Sequence, residues 1–471
     1  MMLGSGLQGK ASVDLEKLKE VARLVELLEN DFSAKKLSSA EQVQTLLTLR
    51  QHGTDPTNAD PIYSDKGINL LARYGLDGET VDIRRAALRC IANALLLNPN
   101  MRQVFVNTGY AGRVAEKLKT DSSDDEMIMS RILFLTTYGT DIEFSTLITK
   151  HSLADNVCYQ VTRHAKQFPK GGQKDLPQMD ELALTDTLKL VFNVAKLYPS
   201  LADSFAPLIP HIFKIISRID IPAKPLDGLI GYLVNALSTL DLEEKPGKFE
   251  SSPLFPKFNQ NCNVDKLINI LDAAVRVYTP DELEPRVVPL LHLLITIHEF
   301  APEGPRKYMK WLLLPEDNDR SAPIGRSDTL SSKLLNLSTS PSVHLKTTIS
   351  ELMFALSDKD PENLTKNIGF GFAAGFLASR GIEIPQDSQE AFATNTEAGI
   401  NPITGQRFDA EPQDLGPPMS QEEKEREAEK LFVLFERARA NGFITAENPV
   451  AQAVREGRFE ELPDDADSDL D

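Results

Sequence analysis

Three apolar helical stretches of this 471-residue chain reach an asparagine at the same step: LRCIAN ends at Asn93, LKLVFN at Asn193 and IGYLVN at Asn235. Each has a Leu or Ile five residues earlier (Leu88, Leu188, Ile230) and further apolar residues after the amide. Asparagine suits a helix interior poorly, because its side-chain amide competes for backbone hydrogen bonds. Its recurrence there implies one structural unit, repeated and turning the same edge inward each time. Such units stack into a solenoid, whose inner face is commonly a surface for another protein. The amide has two readings: it ties neighbouring repeats together, or it contacts a partner, and one side chain can do both.

The pattern around these stretches agrees. From residue 12 to about 382, apolar residues recur at helical spacing, as in Leu15, Leu18, Val21, Ala22 and Val25, broken by Pro, Gly and Asp clusters. DIRRAALRCIANALLLNP (82–99) is a long helix stopped by Pro99, and further units cover roughly 101–119, 126–138, 141–166, 181–199, 204–219, 226–240, 264–278, 281–300, 304–314, 328–339 and 342–357. Sustained period-two alternation is scarce, so the expected fold is all-α, an armadillo/HEAT-type right-handed superhelical solenoid. Three long loops (167–180, 241–263, 315–327) are expected to hang from one rim.

The organisation changes after Ile382. Residues 383–419 hold five prolines and little apolar periodicity, and are expected to be a flexible linker containing NPITG. Ser420 with Glu423 three residues on is a capping box that starts an amphipathic helix, 420–442, with Ala428, Leu431, Phe432, Phe435 and Ala438 in one narrow stripe. That stripe docks either on the solenoid or on a bound partner. The last segment, 443–471, carries seven acidic residues among its final twelve and is expected to be a solvated tail.

Catalytic signals are thin, and no cofactor is expected. His298-Glu299-Phe300-Ala301-Pro302 lacks the second histidine of a zinc-protease helix, no cysteine pair has metal-ligand spacing, and Gly171-Gly172-Gln173-Lys174 lacks the rest of a phosphate loop. Gly369, Gly371 and Ala374 have dinucleotide-turn spacing, but no hydrophobic strand precedes them. Gly371, Ala374, Gly375 and Ala378 instead form one helix face where another backbone is expected to approach closely. The formal charge of −18 argues against nucleic acid as the main partner. No apolar run is long enough for a membrane span, and the start lacks a signal peptide's hydrophobic stretch. Three scattered cysteines, Cys90, Cys158 and Cys262, read as reduced thiols, which places the protein in the cytoplasm.

GFGFAAGFLASRGI, followed by a linker and INPITGQ (400–406), resembles the end of the repeat domain of the synembryn family. RCIANALLLNP, RILFLTTYGTD, LKLVFN and MSQEEKEREAEKLFVLFER are similar to family segments in the same order, so the resemblance covers nearly the whole chain. The short loops and compact length look more like a fungal member than an animal one. The resemblance implies a cytosolic guanine nucleotide exchange factor and folding chaperone for heterotrimeric G-protein alpha subunits, recruited to the plasma membrane through that partner. It also implies an armadillo/HEAT superhelix whose concave face takes the C-terminal helix of the alpha subunit, with no bond made or broken.

By that resemblance Asn93 is the concave-face asparagine, with Asn193 and Asn235 extending the ladder and Arg50 near it. Arg89, one turn before Asn93, is placed where a cation would meet the carboxylate end of a tail. Leu431, Phe432 and Phe435 are assigned to the helix that grips the alpha subunit's mobile switch region. Animal members carry an acidic phosphorylated stretch before NPITG. Here it reads IEIPQDSQEAFATNTEAGI, which leaves Ser468 (Asp471 three residues on) and Ser123 (Glu126 three on) as acid-directed phosphorylation candidates. Two rival readings stand beside this one. A passive armadillo adaptor would leave nucleotide untouched. A karyopherin-like receptor would need tryptophans beside the asparagines, and Trp311 is far from all three in the sequence.

Overall fold

The computed structural model describes residues 5–168, 175–243, 252–382, 399–401 and 404–410, together with Arg426, Lys430, Phe432 and Val433. Numbered along the chain, its helices fall into two rows. The first row stacks α2 (Ser39–His52), α4 (Val81–Leu97), α7 (Ser123–Thr136), α10 (Gln178–Leu197), α12 (Leu229–Leu237), α14 (Pro280–Phe300) and α17 (Val343–Leu356), each packed on the one before. Against it lie α1 (Ser5–Ala34), α3 (Asp65–Asp77), α5 (Asn100–Asn107), α6 (Ala111–Lys117), α8 (Phe144–His151), α9 (Leu153–Lys166), α11 (Ile209–Arg218), α13 (Cys262–Val277), α15 (Glu303–Leu313) and α16 (Leu330–Leu337). α18 (Pro361–Ser379) closes on α17. The described residues form no strand, only an isolated bridge between Ile400 and Arg407. No described helix is long and apolar enough to cross a membrane.

Local chemistry sets the helix ends. Ser38 and Glu41 make a reciprocal capping box at α2, and Thr279 and Glu282 do the same at α14. Ser64, Thr80, Ser122, Thr329, Ser342 and Asp360 accept from the orphan amides of α3, α4, α7, α16, α17 and α18. Burial follows position in the stack. α12 is apolar nearly all round because α10, α11 and α14 each pack on it. Two expected units are split. The stretch 101–119 breaks at Gly109 (φ +76°), and 141–166 breaks at Ser152 (φ +52°), which ends α8 and starts α9.

The end of the stack differs from the sequence expectation. α18 is interrupted at Gly369 (φ 73°, ψ 154°), a conformation open to glycine. Carbonyls just ahead of the break are taken by the buried Arg320, whose Nη2 donates to Asn367 O at 2.9 Å. Its Nη1 donates to Gly405 O at 3.0 Å, inside the segment expected to be linker. Ile324 N–H donates to Thr404 O (3.1 Å) and Arg407 N–H to Arg320 O (2.9 Å), so the described residues of 399–410 form a strap onto the 319–325 loop. These residues belong to the same compact unit as the helical stack, Met1–Ala410. The small-residue face after the break also departs from expectation. Gly371, Gly375 and Ala378 are exposed, and a Cβ at Gly375 would meet nothing within 4 Å. A second unit spans Glu411–Asp471, where Arg426, Lys430, Phe432 and Val433 are helical. Leu431, Phe435 and Ser468 lie outside the described residues.

Candidate partner-binding face

Three neighbouring helices of the first row build a small pocket. α7 and the turn after it supply Phe134 and Tyr138, α10 supplies Leu188, Lys189, Phe192 and Asn193, and α12 supplies Tyr232 and Asn235. Spacings of three and four residues bring each helix's contributions to one face. They enclose about 210 Å³. Phe134 and Tyr138 meet edge to face, with ring centres 5.4 Å apart. The Lys189 ammonium lies 4.9 Å from the Tyr232 ring centre and 5.8 Å from that of Phe134. Below it, the buried Asp186 carboxylate is shared by Arg131 Nε (2.7 Å) and Lys189 Nζ (3.2 Å). Two cations against one carboxylate leave a net positive charge at Lys189, which lines the pocket. Beside it, at or just past the C-terminal ends of α4, α7 and α10, Leu96, Leu97, Tyr138 and Leu197 are exposed.

The three asparagines share this row but not one role. Asn193 is buried, and its amide donates to Thr137 Oγ1 at 2.7 Å, tying α10 to α7. Asn93 and Asn235 are half-buried, and neither side-chain amide has a hydrogen-bond partner among the described residues. Arg89 is occupied, since its guanidinium donates to Asp124 Oδ1 at 2.7 Å. Arg50 is exposed in the last turn of α2, with no ion pair among the described residues. Phe432 is partly exposed in the second unit. Trp311 lies on α15, in clefts lined by α17 and α18 rather than by the asparagine helices.

Ser123 sits in a polar node. It is the first residue of α7, half-buried, with its hydroxyl donating to Asp180 and accepting from Arg163 Nη2 at 3.2 Å. Burial pushes the Asp180 carboxyl up, but the Ser123 hydroxyl and the charges of His164 and Arg163 hold it below the usual range. Nearby, the fully buried Glu126 accepts from Arg163 Nη2 (2.5 Å), His164 Nε2 (2.8 Å) and Thr187 Oγ1 (2.8 Å). Of the cysteines, Cys90 is buried, which pushes its thiol up to about 12, while Cys158 and Cys262 are half-buried; all three are unpaired.

Sequence reading missed the aromatic pocket and Lys189. The available signals were the i, i+4 pairs Phe134/Tyr138 and Leu188/Phe192 on helices whose other faces were already apolar.

A family model described as guanine nucleotide exchange factor synembryn matches residues 45–458. The chaperone Ric-8A of Macaca fascicularis is 25% identical over 509 residues, spanning 97% of this chain and 92% of its own. That of Mus musculus is 24% identical over 465 residues, 90% of this chain and 84% of its own. A synembryn-like chaperone of Schizosaccharomyces pombe is 25% identical over 299 residues, 59% of this chain and 56% of its own. The family match takes in every helix of the first row from α4 onward together with the strap at 399–410, and the chain belongs to the synembryn family of guanine nucleotide exchange factors.

Proposed function

We propose that this protein is a guanine nucleotide exchange factor and folding chaperone for heterotrimeric G-protein alpha subunits, acting in the cytoplasm and brought to the plasma membrane by its partner. The first helical row takes the C-terminal helix of the alpha subunit on its concave face. One observation carries the reading: the aromatic pocket lined by Lys189 lies on the same row as two half-buried asparagine amides that have no partner among the described residues. An amphipathic helix needs such an apolar socket for a side chain, amide donors for its last carbonyls, and a cation for its carboxylate end. Asn93 and Asn235 are assigned to those carbonyls and Lys189 to the terminal charge. Arg50 serves the neighbouring turn. Asn193 and Arg89 hold the surface in shape through Thr137 and Asp124.

Removing that C-terminal helix from the nucleotide-binding domain of the alpha subunit loosens the guanine site, and GDP leaves. The protein then holds its empty partner until GTP binds. That requires a preference for the empty state of several kcal/mol, about 5.5 for a full population reversal, and no bond-making chemistry. The helix bearing Leu431, Phe432 and Phe435 grips the mobile switch region in that state. Ser468 and Ser123 remain the phosphorylation candidates, and a phosphoryl group on Ser123 would have to displace its bond to Asp180.

The test pairs calorimetry on a peptide of the last helix of an alpha subunit with release of fluorescent GDP from the purified, intact G-protein partner. Asn93→Ala and Asn235→Ala are each expected to weaken the peptide about two- to tenfold, from loss of a hydrogen bond to a neutral carbonyl worth about 0.5–1.5 kcal/mol. Phe432→Ala with Phe435→Ala is expected to slow release while leaving peptide affinity unchanged. Peptide binding with no effect on GDP release would make the protein an adaptor.

A further inference from the structure

A second cleft, of about 370 Å³, opens between α4, α6 and the start of α7, away from the aromatic pocket. Four cations and two carboxylates line it: Arg84, Arg85, Lys117 and Lys119 against Glu116 and Asp125. The carboxylates are already engaged. Asp125 accepts from Arg85 Nε at 2.5 Å, and Glu116 lies 2.8 Å from His151 Nδ1. Arg84 donates only to the carbonyls of Gly78 (2.8 Å) and Glu79 (3.3 Å). Lys119 sits 5.8 Å from the Tyr159 ring centre. Among the described residues no carboxylate lies within ion-pair distance of Arg84, Lys117 or Lys119. Three cations without anionic partners there, gathered at one cleft, stand out on a chain of net charge −18.

We propose that this cleft receives a phosphorylated serine or threonine side chain of a protein partner. A phosphoryl group concentrates nearly two negative charges and three acceptor oxygens in a volume that Arg and Lys donors can surround. A run of carboxylates would have to spread beyond the cleft over a surface whose overall charge repels it. The same overall charge disfavours lying flat on an anionic membrane. The two exposed lysines line the cleft on flexible stems that can close on the group without disturbing the helices, while Arg84 is fixed by its carbonyl contacts.

The experiment is titration calorimetry on the full chain at low ionic strength, with acetyl-phosphoserine-amide and acetyl-glutamate-amide as probes. The phosphorylated compound is expected to bind at least about tenfold tighter than the glutamate compound. Lys117→Gln with Lys119→Gln is expected to remove that advantage, while Lys36→Gln with Lys150→Gln, which loses the same charge elsewhere, keeps it. Equal affinity for the two probes, or an advantage that survives the first pair of substitutions, overturns the proposal. So does sedimentation with phosphatidic acid vesicles that depends on Lys117 and Lys119 when the phosphoserine probe shows no advantage, since that would assign the cleft to lipid. None of these outcomes depends on binding of a G protein.

Discussion

Arg320→Met should release the strap at 399–410 without unfolding the helical stack. Arg320 is 6% exposed, and its guanidinium donates to Gly405 O at 3.0 Å and Asn367 O at 2.9 Å. A hydrogen bond from a charged donor contributes about 1.5–3 kcal/mol, so the pair amounts to about 3–6 kcal/mol. Burial opposes this, pulling the Arg320 pKa down, and removing the charge removes that desolvation cost. The net local loss is then about 2–4 kcal/mol. In a stacked array such a loss appears as local opening rather than as a lower global melting point. Hydrogen exchange is the assay, read at the amides of Ile324 and Arg407, which bond to Thr404 O and Arg320 O. Their exchange should quicken by about thirty- to a thousandfold, at about tenfold per 1.36 kcal/mol. Gly405→Ala should loosen the same amides for a different reason. Its φ is +65°, and a Cβ there would stand 2.7 Å from Ile324 Cδ1. Unchanged exchange in both variants would refute the strap.

Asn193→Ala should cost about 1 kcal/mol in chemical denaturation, because the bond from its amide to Thr137 Oγ1 is lost while Thr137 keeps only Phe134 O, whereas Asn93→Ala should change stability by no more than about 0.5 kcal/mol. His298 is buried, its Nε2 has no hydrogen-bond partner among the described residues, and burial, with Lys310 and Arg306 adding, pulls its pKa down to about 4. The unfolded chain therefore binds this proton first, and stability present above about pH 6.5 is lost as pH falls toward about 4. His298→Leu should flatten that part of the stability–pH curve relative to the parent. Glu126→Ala should cost about 1–3 kcal/mol, because the buried His164 and Thr187 lose their shared acceptor while the part-exposed Arg163 keeps Asp180, a loss measurable by denaturant titration.

The helical stack was legible because its signals are local. The periodicity of Leu88, Ile91 and Leu95 says which face of α4 is buried without reference to any other residue. What the face does depends on neighbours far away in sequence. Asn93 and Asn193 look alike in LRCIAN and LKLVFN, yet only the Asn193 amide is engaged within the described chain, and its partner Thr137 lies 56 residues earlier. Arg89 likewise meets Asp124 only because α7 stacks beside α4 in one register. The strap's contacts leave no mark on composition, since each has a main-chain atom as at least one partner: Ile324 N–H to Thr404 O, Arg407 N–H to Arg320 O, and the Arg320 guanidinium to Gly405 O. The break at Gly369 was hidden for the opposite reason: glycine permits a helix as well as a kink, and the demand for a positive φ arises only in the folded context.

The polar node around Glu126 gives the stack a stiff joint. Apolar ridges attract without direction, so helices that meet only through leucine and isoleucine can slide by a fraction of an ångström at little cost. The bonds from Arg163, His164 and Thr187 to one buried carboxylate are directional, and a small shear would break them inside a low-dielectric site. α7, α9 and α10 should thus move as one rigid wedge. The α4–α7 joint is pinned in the same way by the Arg85–Asp125 and Arg89–Asp124 pairs, so any flexing by which the superhelix accommodates a large guest falls instead on the far side, between α10, α12 and α14. The aromatic pocket straddles one of those boundaries, with α7 and α10 on the rigid side and Tyr232 and Asn235 on the yielding side. Its aperture is thereby coupled to the curvature of the whole array, so that a guest seated there would read, and set, how tightly the spring is wound.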